Sequence, residues 1–235
     1  MRKFGPLNAL DEFNDENADW AIVFHGYGAD AFDLFPLRDL LRLSKPINWI
    51  FPQGPLEIPI GPGWTGRAWW NIDIEKIQRD SMAGIDRDLS QEKSEAAILA
   101  RNKVLSMIES LKVPWSKIIL AGFSQGAMLA TDVFMQAPQN PKALVLWSGA
   151  LVNKEEWKVR SQSEEFRQRM SAKPSATFYQ SHGAMDTVLT IKNAQRLEGF
   201  LQSIGLKGKL VTFPGGHEIP PQILQQTKDY LISRI

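Results

Sequence analysis

The residue types and spacing around Ser124 could support nucleophilic chemistry. Residues 122–126 read Gly-Phe-Ser-Gln-Gly, after the apolar run 118–121 and before the helix-forming run 127–130. This order predicts a strand, a sharp turn and a helix. Glycines two residues before and two after the serine leave room where a Cβ would collide with the neighbouring strand and helix. The pattern is typical of a nucleophile elbow, although an isolated Gly-x-Ser-x-Gly also occurs in plain tight turns.

The chain has three histidines, and two of them follow Ser124, as the general base of such an elbow must. His217 lies just beyond the apolar run 209–213, on an expected loop at a strand end, where catalytic residues concentrate. His182 also follows an apolar run but stands beside Asp186 in the sequence. We favour His217 as the base and interpret His182 as a turn residue that supports the loop of Asp186.

Asp186 is the favoured acid between the serine and the base. Asp132 lies eight residues into the helix after the elbow, which places it roughly 12 Å from the serine. The glutamates of the charged segment 155–165, and Glu198 in an amphipathic helix, fit solvated carboxylates better. Asp186 would accept the Nδ1 proton of His217 and leave Nε2 free to take the proton of Ser124.

An oxyanion hole needs two backbone N–H groups that point to the carbonyl oxygen of the substrate. The residue after the nucleophile, Gln125, supplies one, and the N-terminus of the following helix adds its positive end. The second donor is expected on a loop after an early strand. The apolar run 21–24 leads directly into His-Gly-Tyr-Gly at 25–28. Tyr27 is therefore the expected second donor.

Short motifs are spread over nearly the whole chain in a fixed order. They are His-Gly-Tyr-Gly-Ala-Asp at 25–30, Pro-Gln-Gly-Pro at 52–55, Arg-Ala-Trp-Trp at 67–70, the elbow at 122–126, Ser-Gly at 148–149, His-Gly-Ala-Met-Asp at 182–186 and Gly-His-Glu-Ile at 216–219. With these motifs the chain resembles the phospholipase/carboxylesterase family of α/β hydrolases, which includes bacterial carboxylesterases and acyl-protein thioesterases.

The resemblance implies a role for five residues of this chain. Ser124 corresponds to the nucleophile, Asp186 to the acid and His217 to the base, and the backbone amides of Tyr27 and Gln125 correspond to the oxyanion donors. The sequence departs from the family where tyrosine 27 replaces the usual leucine and where residue 127 is alanine instead of a common third glycine. Since the oxyanion contact is made by the backbone, the tyrosine affects the shape of the substrate site more than the chemistry.

Apolar strands alternate with helical patterns, which predicts an α/β fold with a mostly parallel sheet and helices on both faces. The resemblance implies the α/β-hydrolase fold, in a single domain over residues 1–235. Strands are expected near 20–25, 47–51, 117–122, 142–147, 175–181 and 208–213. A helix near 90–111 carries a clear stripe of residues 97, 101, 104, 108 and 111.

Two segments depart from this alternation. Segment 56–89 is rich in glycine and proline and is interpreted as an aromatic loop, in which Trp64, Trp69 and Trp70 either plug the core or bind substrate in an apolar groove. We favour the groove, because family members use the corresponding segment beside the active site. Segment 151–173 is dense in charge and is interpreted as one or two short cap helices, with a solvated surface excursion as the alternative.

Composition excludes several function classes. The formal net charge is +1 and there are no basic runs, so nothing indicates a nucleic-acid partner. The absence of cysteine excludes disulfides, thiol catalysis and thiolate metal sites. The acidic residues after the basic N-terminus argue against a signal peptide, so a cytoplasmic location is expected. No run approaches the ~20 apolar residues that span a bilayer. The sequence leaves the oligomeric state open, a homodimer included.

The expected activity is that of a serine carboxylesterase on uncharged carboxylic esters with short to medium apolar acyl groups. It needs neither a metal ion nor an organic cofactor, and its partner is a small-molecule ester or thioester. An acyl-protein thioesterase or lysophospholipase would share every catalytic residue. A non-catalytic ligand-binding protein on the same fold is the alternative of a different class.

Overall fold

A computed structural model describes residues 1–92, 94–172 and 175–235 of the chain. The strands in these ranges are β1 (Arg2–Phe4), β2 (Leu7–Glu12), β3 (Asp19–Phe24), β4 (Ile47–Pro52), β5 (Leu56–Gly61), β6 (Trp64–Ala68), β7 (Ile118–Phe123), β8 (Ala143–Trp147), β9 (Phe178–Gly183) and β10 (Leu210–Phe213). The helices are α1 (Leu37–Leu41), α2 (Ile74–Met82), α3 (Glu95–Ser110), α4 (Gln125–Gln136), α5 (Lys154–Ser161), α6 (Glu164–Ser171), α7 (Ile191–Ser203) and α8 (Pro221–Ile232).

Within the described ranges, eight strands form one sheet in the order β1-β2-β4-β3-β7-β8-β9-β10. Six of these strands run parallel: β4, β3, β7, β8, β9 and β10. Strands β1 and β2 add an antiparallel edge beside β4. The mostly parallel sheet of an α/β hydrolase is therefore confirmed. The six predicted strands are present, and β9 begins at Phe178 instead of residue 175.

The residues of the central strands point alternately to the two faces of the sheet, and both faces are covered. In β7, Ile118 and Leu120 belong to the apolar core under α3, α4 and α7. Ile119 and Ala121 belong to the core under α1 and α8. A strand that is buried on both faces reads as a continuous apolar run, which is why β7 and β8 were visible in the sequence.

The predicted helix near 90–111 begins later, at Glu95. Ser94 caps it, since its Oγ accepts a hydrogen bond from the amide of Ala97 at 3.3 Å. Its buried stripe contains Ala97, Arg101, Val104 and Ile108, as predicted.

The N-terminal hairpin of β1 and β2 was not predicted. Its turn is Gly5-Pro6, where Gly5 has a φ of +53°. Leu7 and Ala9 are buried while Asn8 is exposed, so β2 has the alternation of a strand with one covered face. This alternation was present in the sequence, but it is short and interrupted by charged residues.

Segment 56–89 is not the loop that was predicted. It begins with an antiparallel hairpin, in which β5 pairs with β6, and continues into α2. Pro62 and Gly63 form the connection, and Gly63 has a φ of +76°. Proline followed by glycine with positive φ is the signature of a type II turn between two strands. The glycines and proline of this segment therefore mark a hairpin turn.

Segment 151–173 forms two helices, α5 and α6; its last residue, Lys173, lies outside the described residues. Trp157 of α5 and Phe166 of α6 are buried. Arg160 donates to the carbonyl of Met135 at 3.3 Å, and Arg169 donates to that of Phe134 at 2.8 Å. These contacts attach both helices to the C-terminal half of α4, away from the end that carries Ser124.

Candidate active site

The carboxyl ends of four parallel strands lie at one edge of the sheet: β3, β7, β9 and β10, with β8 between β7 and β9. The segments that follow them carry His25, Ser124, Asp186 and His217. In an open α/β sheet, ligands bind at this edge. Strand order thus gathers residues that are far apart in the sequence.

Ser124 occupies a strained backbone conformation between β7 and α4. Its φ is 55° and its ψ is −119°, which non-glycine residues rarely adopt. A Cβ on Gly122 would lie 2.2 Å from the carbonyl oxygen of Gly126, and one on Gly126 would lie 2.0 Å from that of Phe24. Both glycines are therefore required by contacts with backbone. The amide of Ser124 donates to the carbonyl of Trp147 on β8 at 2.9 Å, which holds the turn against the sheet.

Asp186 and His217 are in direct contact. Nδ1 of His217 lies 2.6 Å from Oδ2 of Asp186. The other carboxylate oxygen accepts hydrogen bonds from the amides of Val188 and Leu189 at 2.8 and 2.9 Å. Because an ionised carboxylate can only accept, Nδ1 of His217 carries a proton, and in the neutral ring the lone pair is then on Nε2.

The electrostatics of Asp186 favour the ionised form. Burial opposes ionisation, but the hydrogen bond and charge of His217, together with the amide of Leu189, lower the pKa of Asp186 below its usual range. The carboxylate can therefore stabilise a positive charge on His217.

His217 lies beside the elbow. Its ring is 4.8 Å from that of Phe123, the residue before Ser124. On the other side, a Cβ on Gly183, at the end of β9, would lie 2.1 Å from the carbonyl oxygen of Gly216. The loop of His217 is thus packed between β9 and the elbow.

His182 lies beneath the acid loop and is fully buried. Its Nε2 is 2.7 Å from the carbonyl oxygen of Leu189 and 3.3 Å from Oδ2 of Asp186. Burial lowers the pKa of His182, despite the nearby Asp186, and so keeps the ring neutral. Its Nε2–H therefore ties the loop 186–189 together, which is the supporting position expected from the sequence.

The loop of Tyr27 lies against the other side of the elbow. A Cβ on Gly26 would be 3.4 Å from Cβ of Ser124 and 3.3 Å from the ring of Phe123. The β5–β6 hairpin supports this loop, since the amide of Gly28 donates to the carbonyl of Arg67 at 2.9 Å. Gln125 is the first residue of α4, so its N–H has no acceptor within the helix. The segments of both expected oxyanion donors therefore border Ser124.

His25 is a part of this site that the sequence did not single out. It is buried, its Nε2 accepts from the amide of Gly54 at 2.9 Å, and its Nδ1–H donates to the carbonyl of Gly26 at 2.7 Å. Burial lowers the pKa of His25 to about 4. A neutral ring with this tautomer fixes the start of the loop that carries Tyr27.

The depressed pKa of His25 predicts a pH dependence of stability. The unfolded chain binds a proton at His25 below pH 6.5, whereas the folded chain binds it only near pH 4, so stability is lost as the pH falls through this window. Between pH 7.5 and pH 5 this loss amounts to about 2 kcal/mol. The free energy of unfolding measured with urea should therefore fall by about 2 kcal/mol less in His25→Gln than in the wild type between pH 7.5 and pH 5. Equal pH dependences in the two proteins would contradict the neutral, buried state of His25.

The three tryptophans do not share one environment. Trp64 on β6 is 72% exposed, whereas Trp69 and Trp70, just after β6, are buried. Trp69 packs beside His25, at 5.1 Å between ring centres, and its Nε1 donates to the carbonyl of His25 at 2.9 Å. This position is that of a core residue. Substrate contact by Trp64 and Trp69 thus finds no support in their surroundings, while Trp70 lines a cavity.

The side chain of Gln125 connects this segment to the elbow. Its Oε1 accepts from the amide of Trp69 at 3.0 Å, and its Nε2 donates to the carbonyl of Trp70 at 2.7 Å. The residue after Ser124 therefore determines where Trp70 lies relative to the nucleophile.

Comparison with known proteins decides the family. A model of the phospholipase/carboxylesterase family matches residues 9–235. The chain belongs to the phospholipase/carboxylesterase family. It is accordingly a serine hydrolase that acts on carboxylic esters.

Relatives of this family are similar over most of their length. Acyl-protein thioesterase 1 of Candida albicans is 26% identical over 213 residues, which cover 86% of each chain. Acyl-protein thioesterase 1 of Eremothecium gossypii is 24% identical over 227 residues, covering 89% of this chain and 85% of the relative.

Solved structures share the fold. Esterase PE8 has a TM-score of 0.75 at 23% identity and covers 97% of this chain and 99% of its own. The carboxylesterase of Bacillus cereus has a TM-score of 0.68 at 13% identity, with 98% and 95% covered. None of the helices in the described ranges has the length and apolar character needed to cross a membrane.

A cavity of about 180 Å³ lies near the elbow of this hydrolase. Its apolar wall includes Trp70, Ile72, Ile77, Leu89, Ala97 and Met128. Met128 is four residues after Ser124 in α4, about one helical turn away. Trp70 is held by Gln125, the neighbour of Ser124. We call this cavity the acyl chamber, for the role argued below.

Proposed function

We propose that the protein is a carboxylesterase in which Ser124, Asp186 and His217 form the catalytic triad, and that it hydrolyses uncharged esters with short to medium apolar acyl groups. The hydrogen bond between Asp186 and His217, beside the strained serine, carries this proposal. A serine at a strained strand–helix turn and a histidine oriented by a buried carboxylate are the parts that acyl transfer requires.

The reaction proceeds in two halves. Nε2 of His217 takes the proton of Ser124 as the hydroxyl attacks the ester carbonyl, and Asp186 stabilises the resulting imidazolium. The amides of Tyr27 and Gln125 stabilise the oxyanion of the tetrahedral intermediate. His217 then gives the proton to the leaving alcohol, and water repeats the sequence on the acyl-enzyme.

The volume of the acyl chamber favours an acyl chain of short to medium length. A cavity of about 150 Å³ holds a ring of six carbons, so the chamber has room for about the same number. Most of its lining residues are apolar, and one of them, Met128, lies about one helical turn after the residue proposed as nucleophile. Of the three tryptophans expected to bind substrate, this assigns the role to Trp70.

The profile of kcat/KM against acyl length tests this proposal. Each methylene that enters the chamber gains up to ~0.8 kcal/mol, so kcat/KM should rise by up to about fourfold per methylene from acetyl to about hexanoyl and then level off. Ala97→Leu fills the chamber from α3 and should lower the hexanoyl value about tenfold, with little change for acetyl. Leu99→Ala, an exposed site on the same helix, is the control. Identical profiles in Ala97→Leu and the wild type would contradict the chamber as the acyl site.

A thioesterase is the second candidate, favoured by the names of the relatives from Candida albicans and Eremothecium gossypii. It uses the same residues, because a thiol replaces the alcohol as the leaving group. Thioesters matched to the aryl esters in acyl length distinguish the two by the ratio of their kcat/KM values. A location in the cytoplasm, a single domain over 1–235 and a homodimer stay predictions.

A further inference from the structure

The acyl chamber is not apolar throughout. Its lining also contains four polar residues: Asn71, Glu92, Ser94 and Asn153. Of these, Asn153 is only 3% exposed, although it belongs to a residue type that is mostly found at the surface. A plain hydrocarbon chain gives a buried amide nothing to bind.

Both backbone polar groups of Asn153 form hydrogen bonds. Its amide donates to the carbonyl of Glu92 at 3.1 Å, and its carbonyl accepts from the amide of Trp157 at 3.0 Å. Its φ of 49° and ψ of 31° are left-handed, a conformation that asparagine tolerates better than most residues. The position of the side chain is therefore fixed by a well-held backbone.

The side chain of Asn153, in contrast, makes no hydrogen bond with any described residue. It directly precedes α5, where an asparagine usually accepts from an amide of the first turn, but no such bond is present. Oδ1 and Nδ2 of Asn153 are not among the fully enclosed side-chain atoms that lack a partner, so they face open space, and Asn153 lines the chamber. The amide of Asn153 is thus available to a group inside the chamber.

The other polar residues of the chamber are either hydrogen-bonded to protein groups or exposed. Ser94 accepts from the amide of Ala97 as the cap of α3, and Glu92 accepts from Nε of Arg87 at 3.0 Å. Asn71 is exposed. Within the described lining, Asn153 is therefore the buried polar side chain that a substrate group can satisfy.

The surroundings of Asn153 favour an uncharged oxygen as this group. The N-terminus of α3 at Ser94 adds a positive end, which favours an electron-rich acceptor. The described lining contains no lysine or arginine to bind an anion, and Arg87 is already paired with the carboxylate of Glu92. A hydroxyl or a ketone meets both conditions, whereas the free carboxylate of a dicarboxylic half-ester does not.

We propose that Asn153 recognises an uncharged hydroxyl or carbonyl oxygen on the acyl chain, so that the preferred substrates are esters of hydroxy or oxo acids of about six carbons. The inference rests on the proposed function, since it places the acyl group in the acyl chamber. It makes Asn153 a specificity-determining residue that contacts substrate away from the reacting carbonyl.

Aryl esters of hexanoate, 6-hydroxyhexanoate and 5-oxohexanoate test this inference. The wild type should prefer both oxygenated esters over hexanoate by about tenfold in kcat/KM, the value of one good hydrogen bond. Asn153→Gly keeps the left-handed backbone without the amide, and the ratio should fall to about one. Because the ratio is taken within one protein, a loss of folded enzyme does not change it.

Asn153→Asp separates the two oxygen types. Aspartate tolerates the same backbone but can only accept, so the preference for the hydroxy ester should persist while that for the oxo ester is lost. A wild type that prefers plain hexanoate, or an Asn153→Gly variant that keeps the preference, would overturn the inference and leave the proposed function intact. Equal turnover by Ser124→Ala would instead overturn the proposed function and this inference with it.

Discussion

Ser124→Ala is expected to lower kcat for a short aryl ester by about 10⁴-fold or more, because the proposed acyl intermediate forms on the hydroxyl of Ser124. The melting temperature should change little, since alanine and serine have similar volumes and the same conformational restriction at a φ of 55°. Steady-state kinetics and thermal unfolding of the same preparations measure both quantities.

Ser148→Ala is the matched control for this variant. Ser148 is buried at the end of β8, the strand next to β7, and it also has a positive φ, of 49°. Its Oγ is buried with no hydrogen-bond partner in the described structure. Ser148→Ala should therefore retain turnover. If Ser148→Ala were inactive while Ser124→Ala kept full activity, the nucleophile would be misassigned.

His217→Asn should also lose about 10⁴-fold in kcat, whereas His182→Asn should stay within about tenfold of the wild type. The ring of His217 lies beside the elbow with its Nδ1 on Asp186, while His182 uses its Nε2 on the carbonyl of Leu189. His182→Asn should instead lower the melting temperature, because a fully buried side chain is replaced. The reverse ranking of the two variants in kcat would show that His182 is the base.

The pH profile of the two histidine variants adds an independent measure. Because the pKa of Asp186 is lowered, its carboxylate is available to orient His217 through the neutral pH range. His182 is neutral in the fold through burial, so His182→Asn should leave the pH profile of kcat/KM unchanged. An ionisation that is present in the profile of the wild type and missing from that of His182→Asn would assign a titrating role to His182.

The elbow could be predicted from the sequence because the residues that its tight turn requires lie within two positions of Ser124. The positions two residues before and two residues after Ser124 have no space for a Cβ, so only glycine fits there. The placement of Asp186 and His217 could be anticipated for another reason. Both follow apolar strands of a parallel sheet, and the carboxyl ends of parallel strands gather at one edge.

Other features depend on contacts between distant parts of the chain. Asp132, which was set aside as the acid, is buried and bound by Nη1 of Arg101 at 3.2 Å and by Nε1 of Trp157 at 2.6 Å. Burial raises the pKa of Asp132 against the effect of Arg101. Glu156 was expected to be solvated, but it accepts from the same Arg101 at 2.8 Å. No pattern in the sequence indicates that these residues meet.

The tryptophans show how the misassigned hairpin affected the site. Once Pro62-Gly63 is a turn, residues 64–68 form a strand, which exposes Trp64 and carries Trp69 into the core beside His25. Only Trp70 reaches the acyl chamber. Local alternation around the turn could have indicated the hairpin, but the side of the sheet on which each ring packs depends on the fold.

Covalent labelling with a fluorophosphonate, located by peptide mass spectrometry, tests the central claim most directly. The phosphonate forms a stable bond with an activated serine and mimics the tetrahedral intermediate that the proposed oxyanion donors would stabilise. We expect a single adduct on the peptide of Ser124, lost in Ser124→Ala, retained in Ser148→Ala and strongly slowed in His217→Asn. An adduct on a different residue, or none on the wild type, would contradict the assignment of Ser124 as the nucleophile.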